Sequence, residues 1–342
     1  MDLFALAIVK VMDPVPLKSV KDRWKKIYAS REIHAHLSSN TLTDILRDTG
    51  SDMAARMDLF QSFITESRKL AFDLSSIFSR SENINMVAKG HNADHIYLPQ
   101  VSMALAFDLD RYGQVFLELL EGSVGDVKSL RNILDEIHFD GILVLATGFS
   151  SQDLAEIMRS DMKFIMPHRR NQEMIDYSMD LGSSFVYRDR GIRPGFLNRN
   201  GFRIYMFQDH MLMAGESSTF IWMIAEGRRK QKEFQSEYMK FGKISILSNL
   251  KDDPRTIYNL YKQREEIEQT FDAMKNELEN DKSCMSHDDS LRGYFFVSFL
   301  SLYIYYIIFV LIRAADLTGK LSVKDVLLKF SRVYKIVSEK KE

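Results

Sequence analysis

A single cysteine, Cys284, stands in a chain of 342 residues, so neither a disulfide framework nor a cysteine-rich zinc site can be built. Such sparing use suits a reducing compartment, and a cytoplasmic location is expected. Charge of one sign is missing too. The 46 Lys and Arg residues against 47 Asp and Glu leave a formal net charge of −1. That excludes a chain-wide basic field of the kind that draws proteins onto nucleic acid, so any DNA contact must be local. The eight histidines show no metal-ligand spacing. MDLFALAIVKVMDP at the N-terminus has no basic n-region and no small-residue cleavage site, so it is not expected to act as a signal peptide. Internal repeats and low-complexity tracts are also missing.

What is present is a hydrophobic content of 45 %, enough for two domains or one large domain with an insertion. Residues 1–65 read as a helical N-terminal region, with one helix over Leu17–Tyr28 and another opening at the Ser- and Asn-rich start of LSSNTLTDILRD. No basic recognition helix follows Ser38–Asp48, so a plain helical bundle is favoured there over a helix-turn-helix. The pattern then turns to period two. Lys69–Asp73, His95–Phe107 and Gln114–Leu120 are strand candidates, with Pro99 arguing for an edge or a bulge. Links around Gly90–Asn92 and Asp108–Gly113 separate them.

A helix over Asp126–His138, a short buried strand Ile142–Leu145 and a helix opening at Ser150–Ser151 follow. Three strands, helix, strand, helix is the order of an RNase H-like α/β core with a mixed sheet, its first part spanning 66–162. In 163–243 the runs SSFVYRD, GFRIYMF and STFIWMIAEG suggest antiparallel strands, hence a β-rich insertion. The basic cluster Gly227–Lys232 there reads equally as a solvated turn or as a DNA contact. ISILSNL returns to the main sheet and opens the second part of the core, 244–335.

Tyr294–Ile312 holds no charge and is long enough to span a bilayer. It is either a lone membrane anchor or a helix buried on nearly every side. Its four tyrosines and two serines dilute it, and burial is favoured, with no membrane partner expected.

The most informative segment is YKQREEIEQTFDAMKNELE. It lacks Gly and Pro and should be helical, with Tyr261, Arg264, Glu268 and Lys275 within an arc of about 60°. Ile267, Phe271, Met274 and Leu278 give it a buried side. Taken alone, this is a surface helix with i,i+4 ion pairs, or a carboxylate flanked by a phenol and two cations, suited to a metal beside a phosphate backbone.

The spacing resembles the Y-R-E-K signature of DDE-type transposases of prokaryotic insertion sequences, insertion sequence family four. All four positions match without a gap, and the resemblance runs over nearly all of residues 10–335. It implies transposon-end cleavage and strand transfer dependent on Mg²⁺, with transposon terminal inverted repeats and target DNA as partners, and a homodimer as a possible assembly. Glu268 would be the third catalytic acid and a metal ligand. Tyr261, Arg264 and Lys275 would lie along DNA, Arg264 as a phosphate clamp.

By position and by its Asp-x-Ser context, Asp73 resembles the family's first acid and metal ligand, although the residues alone suit an Asp capping a strand end. Where the family carries its second acid, in an apolar-apolar-Asp-x-Gly-Phe frame, this chain reads Val144-Leu145-Ala146-Thr147-Gly148-Phe149. Ala146 has no side-chain oxygen for a cation, so metal binding and catalysis are expected to be lost or impaired. The ends of the chain, compared with the family, suggest a truncated and degenerate member. A DNA-binding or dimerising protein without catalysis is the alternative from another class.

Overall fold

The computed structural model describes all residues except 80–82, 90–98, 124–125, 160–161, 171–173, 279–284 and 332–342. Four helices lead: α1 (Asp2–Met12), α2 (Leu17–Trp24), α3 (Ser39–Ser51) and α4 (Met53–Thr65). Strands β1 (Lys69–Phe78), β2 (Ala88–Lys89), β3 (Pro99–Asp108) and β4 (Gly113–Glu121) come next, then α5 (Asp126–Glu136), β5 (Ile142–Leu145), α6 (Gln152–Met158) and β6 (Lys163–His168). The insertion holds β7 (Phe185–Tyr187), β8 (Arg190–Arg199), β9 (Phe202–Asp209), α7 (His210–Ala225) and α8 (Phe234–Tyr238). The chain continues through β10 (Lys243–Ser248), α9 (Pro254–Gln263), α10 (Glu265–Asp272), α11 (Asp288–Ala314) and α12 (Val323–Phe330).

These elements form two compact, interleaved units. The first comprises Met1–Ser67, Leu74–His138 and Glu266–Glu342, and the second Arg68–Asp73 and Phe139–Glu265. In the first unit, side-chain caps start α3 and α4. Ser38 Oγ accepts from the Thr41 amide at 3.2 Å, and Asp52 Oδ1 from the Ala55 amide at 3.0 Å. Burial then recurs with helical spacing, at Leu42, Leu46 and Gly50 on α3 and at Arg56, Phe60 and Ile64 on α4. The Phe60 ring meets Phe116 at 5.2 Å and Phe299 at 5.0 Å.

α11 packs against α3, α1 and β4. At the crossing with α3, a β-carbon on Gly50 would strike the Asp289 carbonyl, and one on Gly293 the Leu46 carbonyl, so the two backbones touch where both residues lack side chains. Among the described residues α11 is the one helix long and apolar enough to cross a membrane, and half of its most apolar stretch is buried in the protein. Arg292, the cation on its N-terminal flank, pairs with Glu118, which also faces Arg56 at 3.4 Å.

In the second unit the strand order is β1-β5-β6-β10-β9-β8-β7. β1, β5 and β6 are parallel, whereas β10, β9, β8 and β7 join by antiparallel pairing. Both faces of the parallel strands are buried, so β5 is the continuous run Ile-Leu-Val-Leu instead of an alternating one. The succession of β1, β3, β4, α5, β5, α6 and β6 is that of an RNase H-like core, with the insertion entering between β6 and β10.

Three sequence readings change. STFIWMIAEG is not a strand but the second half of α7, capped by Asp209, whose Oδ1 accepts from the Leu212 amide at 3.0 Å. Its apolar residues run together instead of alternating, and a cap followed by 16 residues favours helix. The helix expected over Leu17–Tyr28 ends at Trp24. The strand beginning at Lys69 does not stop at Asp73 but runs on to Phe78. Pro99 opens β3, where its missing N–H costs no ladder bond; residues 95–98 and the link at 90–92 lie outside the described residues.

Candidate functional site

β1 and β5 run side by side in register, Ala71 opposite Val144 and Phe72 opposite Leu145. One step further, Asp73 is level with Ala146. The Ala146 amide donates to the Phe72 carbonyl at 3.3 Å, extending the ladder past the last residue of β5. Ala146 is 3 % exposed and begins the tight turn Thr147–Phe149. That turn is anchored by Phe149, fully buried, whose ring lies 5.4 Å from Phe72. Asp73 sits in the middle of its strand and is partly exposed.

The signature segment is less regular than a Gly- and Pro-free sequence suggests. α9 stops at Gln263, Arg264 forms a turn, α10 covers Glu265–Asp272, and a π turn spans Ala273–Glu277. The Arg264 amide donates to the Tyr261 carbonyl at 3.3 Å, an i→i−3 bond that tightens the last turn of α9. In the second unit, the Arg264 guanidinium stands 4.0 Å from the Asp73 carboxylate and 5.4 Å from the Tyr261 ring centroid. Asp73, Ala146, Tyr261 and Arg264 therefore belong to one neighbourhood, beside the middle of β1 and the C-terminal end of β5. In the first unit, Glu268 is exposed on α10 and Lys275 half-buried in the π turn. Residues of a π turn advance by less than 100° each, which carries Lys275 further round from Glu268 than a uniform helix would.

Residues that sequence spacing did not single out hold the segment in place. The Glu265 carboxylate accepts from Lys262 Nζ and from Arg188 Nη1, each at 2.9 Å. Burial pushes this carboxyl up, but the bond and charge of Lys262, then those of Arg188, outweigh it and hold its pKa below the ordinary value. Arg188 reaches it from the β7–β8 turn, where Arg188 and Asp189 have φ of 45° and 62°. Tyr258, fully buried on α9, packs between Phe185, Tyr187 and Phe207. Burial, then the nearby Asp209 charge, drives its phenol pKa far up, so it stays neutral. At the end of β6, His168 is buried opposite Ser245, and its Nδ1 finds no hydrogen-bond partner among the described residues. Burial lowers its pKa to about 4, so it too is neutral at pH 7.

A pair of divalent cations needs several carboxylates converging on one point. Beside Asp73 there is a buried methyl group at Ala146 and a guanidinium from Arg264. No group of three His, Cys, Asp or Glu among the described residues is arranged to hold a metal ion. The described residues do not fit a two-metal centre.

Comparison with known proteins agrees with the sheet. No curated protein sequence matches the chain. Among solved structures the fold is similar to that of piggyBac transposase in its synaptic complex with hairpin DNA, at 10 % identity and a TM-score of 0.52, covering 96 % of this chain and 69 % of that one. Two structures of Mos1 transposase also match: the paired-end complex with the left transposon end, at 14 % identity, a TM-score of 0.18 and coverage of 48 % and 57 %, and the paired-end complex with Mn, at 13 %, 0.21, 78 % and 77 %. Scores this low carry no weight for the fold. Residues 69–304 match the profile of the transposase DDE domain, more than half of the chain. The chain belongs to the family of transposases with a DDE domain.

Proposed function

We propose that this chain is a DNA-transposition protein that engages transposon-end DNA through Tyr261, Arg264 and Lys275 but has an incomplete cleavage centre. The family supplies the ancestral reaction, cleavage at transposon ends and strand transfer supported by a divalent cation such as Mg²⁺. Asp73 and Glu268 are the remaining acids of that reaction. One observation carries the reading: level with Asp73, at the end of the neighbouring strand, stands Ala146. A DNA partner is in keeping with the hairpin DNA held by the similar piggyBac structure. We read α11 as a core helix, since it packs along α3, α1 and β4, and take the protein to act in the cytoplasm without a membrane partner.

Ala146→Asp is the test. The new carboxylate enters a site 3 % exposed beside Asp73, so the two repel one another until a cation intervenes. By calorimetry the variant is expected to bind Mn²⁺ at least about tenfold more tightly than the parent, a gain of ~1.4 kcal/mol or more. Its melting temperature should rise with added Mn²⁺ while that of the parent does not. Equal Mn²⁺ affinity in the two proteins shows that position 146 is not part of the centre. DNA binding without cleavage by the parent, in Mg²⁺ or Mn²⁺, supports a protein that occupies transposon ends or pairs with an intact relative.

A further inference from the structure

The C-terminal half of α11 leaves four apolar side chains, Tyr303, Ile307, Val310 and Leu311, 38 % to 64 % exposed. They recur at i, i+4, i+7 and i+8 and so share one helix face. That face is not flat. Where α11 passes the end of α4 and the start of β4, a cavity of about 300 Å³ opens, walled by Phe63, Val115, Tyr303, Tyr306, Ile307 and Val310.

The walls are held by contacts of their own. The Phe63 ring stacks on Tyr303 with centroids 5.4 Å apart, and the Tyr306 hydroxyl shares a 2.7 Å hydrogen bond with Thr270. The rim is the β3–β4 turn. Tyr112 there takes a φ of 56°, a conformation that costs a residue with a side chain, and its amide donates to the Asp108 carbonyl at 3.0 Å. Such backbone outliers concentrate where a fold holds a site open.

The polar groups at the cavity are of two kinds. Among the described residues two charged side chains line it, Asp108 and Arg111, and both are engaged. Asp108 is 1 % exposed and accepts from the Ser67 hydroxyl and from the Asp110 and Arg111 amides, while Arg111 donates to Glu66 at 2.7 Å. Gln114, which also lines the cavity, is half satisfied. Its Nε2 donates to the Phe299 carbonyl at 2.9 Å, which fixes the orientation of the amide. Its Oε1 is buried with no hydrogen-bond partner among the described residues. A buried acceptor left open costs free energy that a guest carrying a donor would recover.

We propose that this cavity binds a small uncharged aromatic molecule of two fused rings with one N–H or O–H donor, of the size of indole. An apolar cavity of roughly 150 Å³ takes up benzene, so one of about 300 Å³ suits a bicyclic guest. The rings of Phe63, Tyr303 and Tyr306 offer faces and edges to a flat molecule, and the Gln114 amide supplies the single polar group that orients it. A charged guest would have to take Asp108 or Arg111 from the partners they already hold. The proposal concerns the first unit alone and does not depend on the reading of Ala146.

The experiment is a calorimetric titration of the full chain with indole, compared with benzothiophene, which has the same shape without the ring N–H, and with indole-3-carboxylate. Indole is expected to bind with a Kd of about 1 mM or below and to raise the melting temperature. Benzothiophene should bind at least about threefold more weakly, and the carboxylate more weakly than indole. Val310→Trp places a bicyclic ring in the cavity from a half-exposed position and is expected to weaken indole binding at least about tenfold, with the melt of the free protein unchanged. Gly113→Val, where a β-carbon meets nothing within 4 Å, narrows the opening without a clash and should weaken binding in the same direction. A parent that binds no indole, equal affinity for benzothiophene, tighter binding of the carboxylate, or indole affinity unchanged in both variants would each overturn the proposal. Tighter binding of N-acetyltryptophanamide than of indole would also overturn it, by making the occupant a side chain of a partner protein.

Discussion

Glu118 and Asp73 are both carboxylates that face guanidinium groups, one in each unit. Glu118 is buried and lies between Arg56 and Arg292, which also donate to the Thr49, Gly50 and Leu119 carbonyls. Asp73 is partly exposed and has Arg264 at 4.0 Å, the outer limit of an ion pair. The first carboxylate is closed in by its cations, so its role is to hold β4, α4 and α11 together. The second is partly exposed and meets the signature segment only at that distance from Arg264, so this pairing is a weak one. The difference separates a carboxylate enclosed by its cations from one at a partly exposed position with a long ion pair.

Three experiments would break or sharpen that contrast. Glu118→Ala leaves two arginines facing an apolar interior and is expected to cost about 3–5 kcal/mol, read by denaturant unfolding. A buried base, His168, comes next. The pKa of His168 in the folded protein, about 4, lies below its ordinary 6.5, so its contribution is present above pH 6.5 and is lost as pH falls toward 4. Stability should drop by about 3 kcal/mol across that window, and His168→Gln should flatten the slope. The smallest effect is expected at Asp73→Ala, within about 1 kcal/mol, because the carboxylate is partly exposed and its ion pair with Arg264 is long. If Asp73→Ala costs as much as Glu118→Ala, the two carboxylates are equivalent and the contrast fails.

The sequence disclosed most where one short-range rule governs an element. β5 has the expected bounds because four apolar residues between turns admit little else, and α3 opens at its serine cap. The level placement of Asp73 and Ala146 follows from strand order, which the helix-strand succession already implied. α7 misled because an all-apolar run has no period to read. The break at Arg264 and the clamp on Glu265 were hidden for a different reason. Arg188 lies 77 residues from Glu265 in sequence, and only the folded insertion brings it to the signature segment.

The crossing of α3 and α11 has a consequence in time. α3 ends at Ser51, and the helix that its glycine-notched face requires begins at Asp288. During synthesis the N-terminal helices emerge long before their partner exists, and Leu42, Leu46, Leu6 and Trp24 must wait with their apolar sides uncovered. Closure of this core is therefore a late event between distant parts of the chain, slow for want of local contacts. The second unit, most of which is a continuous stretch from Phe139 to Glu265, can form while the first is still waiting. A ribosome stalled before residue 288 would accordingly hold a folded insertion and an unfinished helical bundle, the form of this protein most exposed to chaperones and proteases.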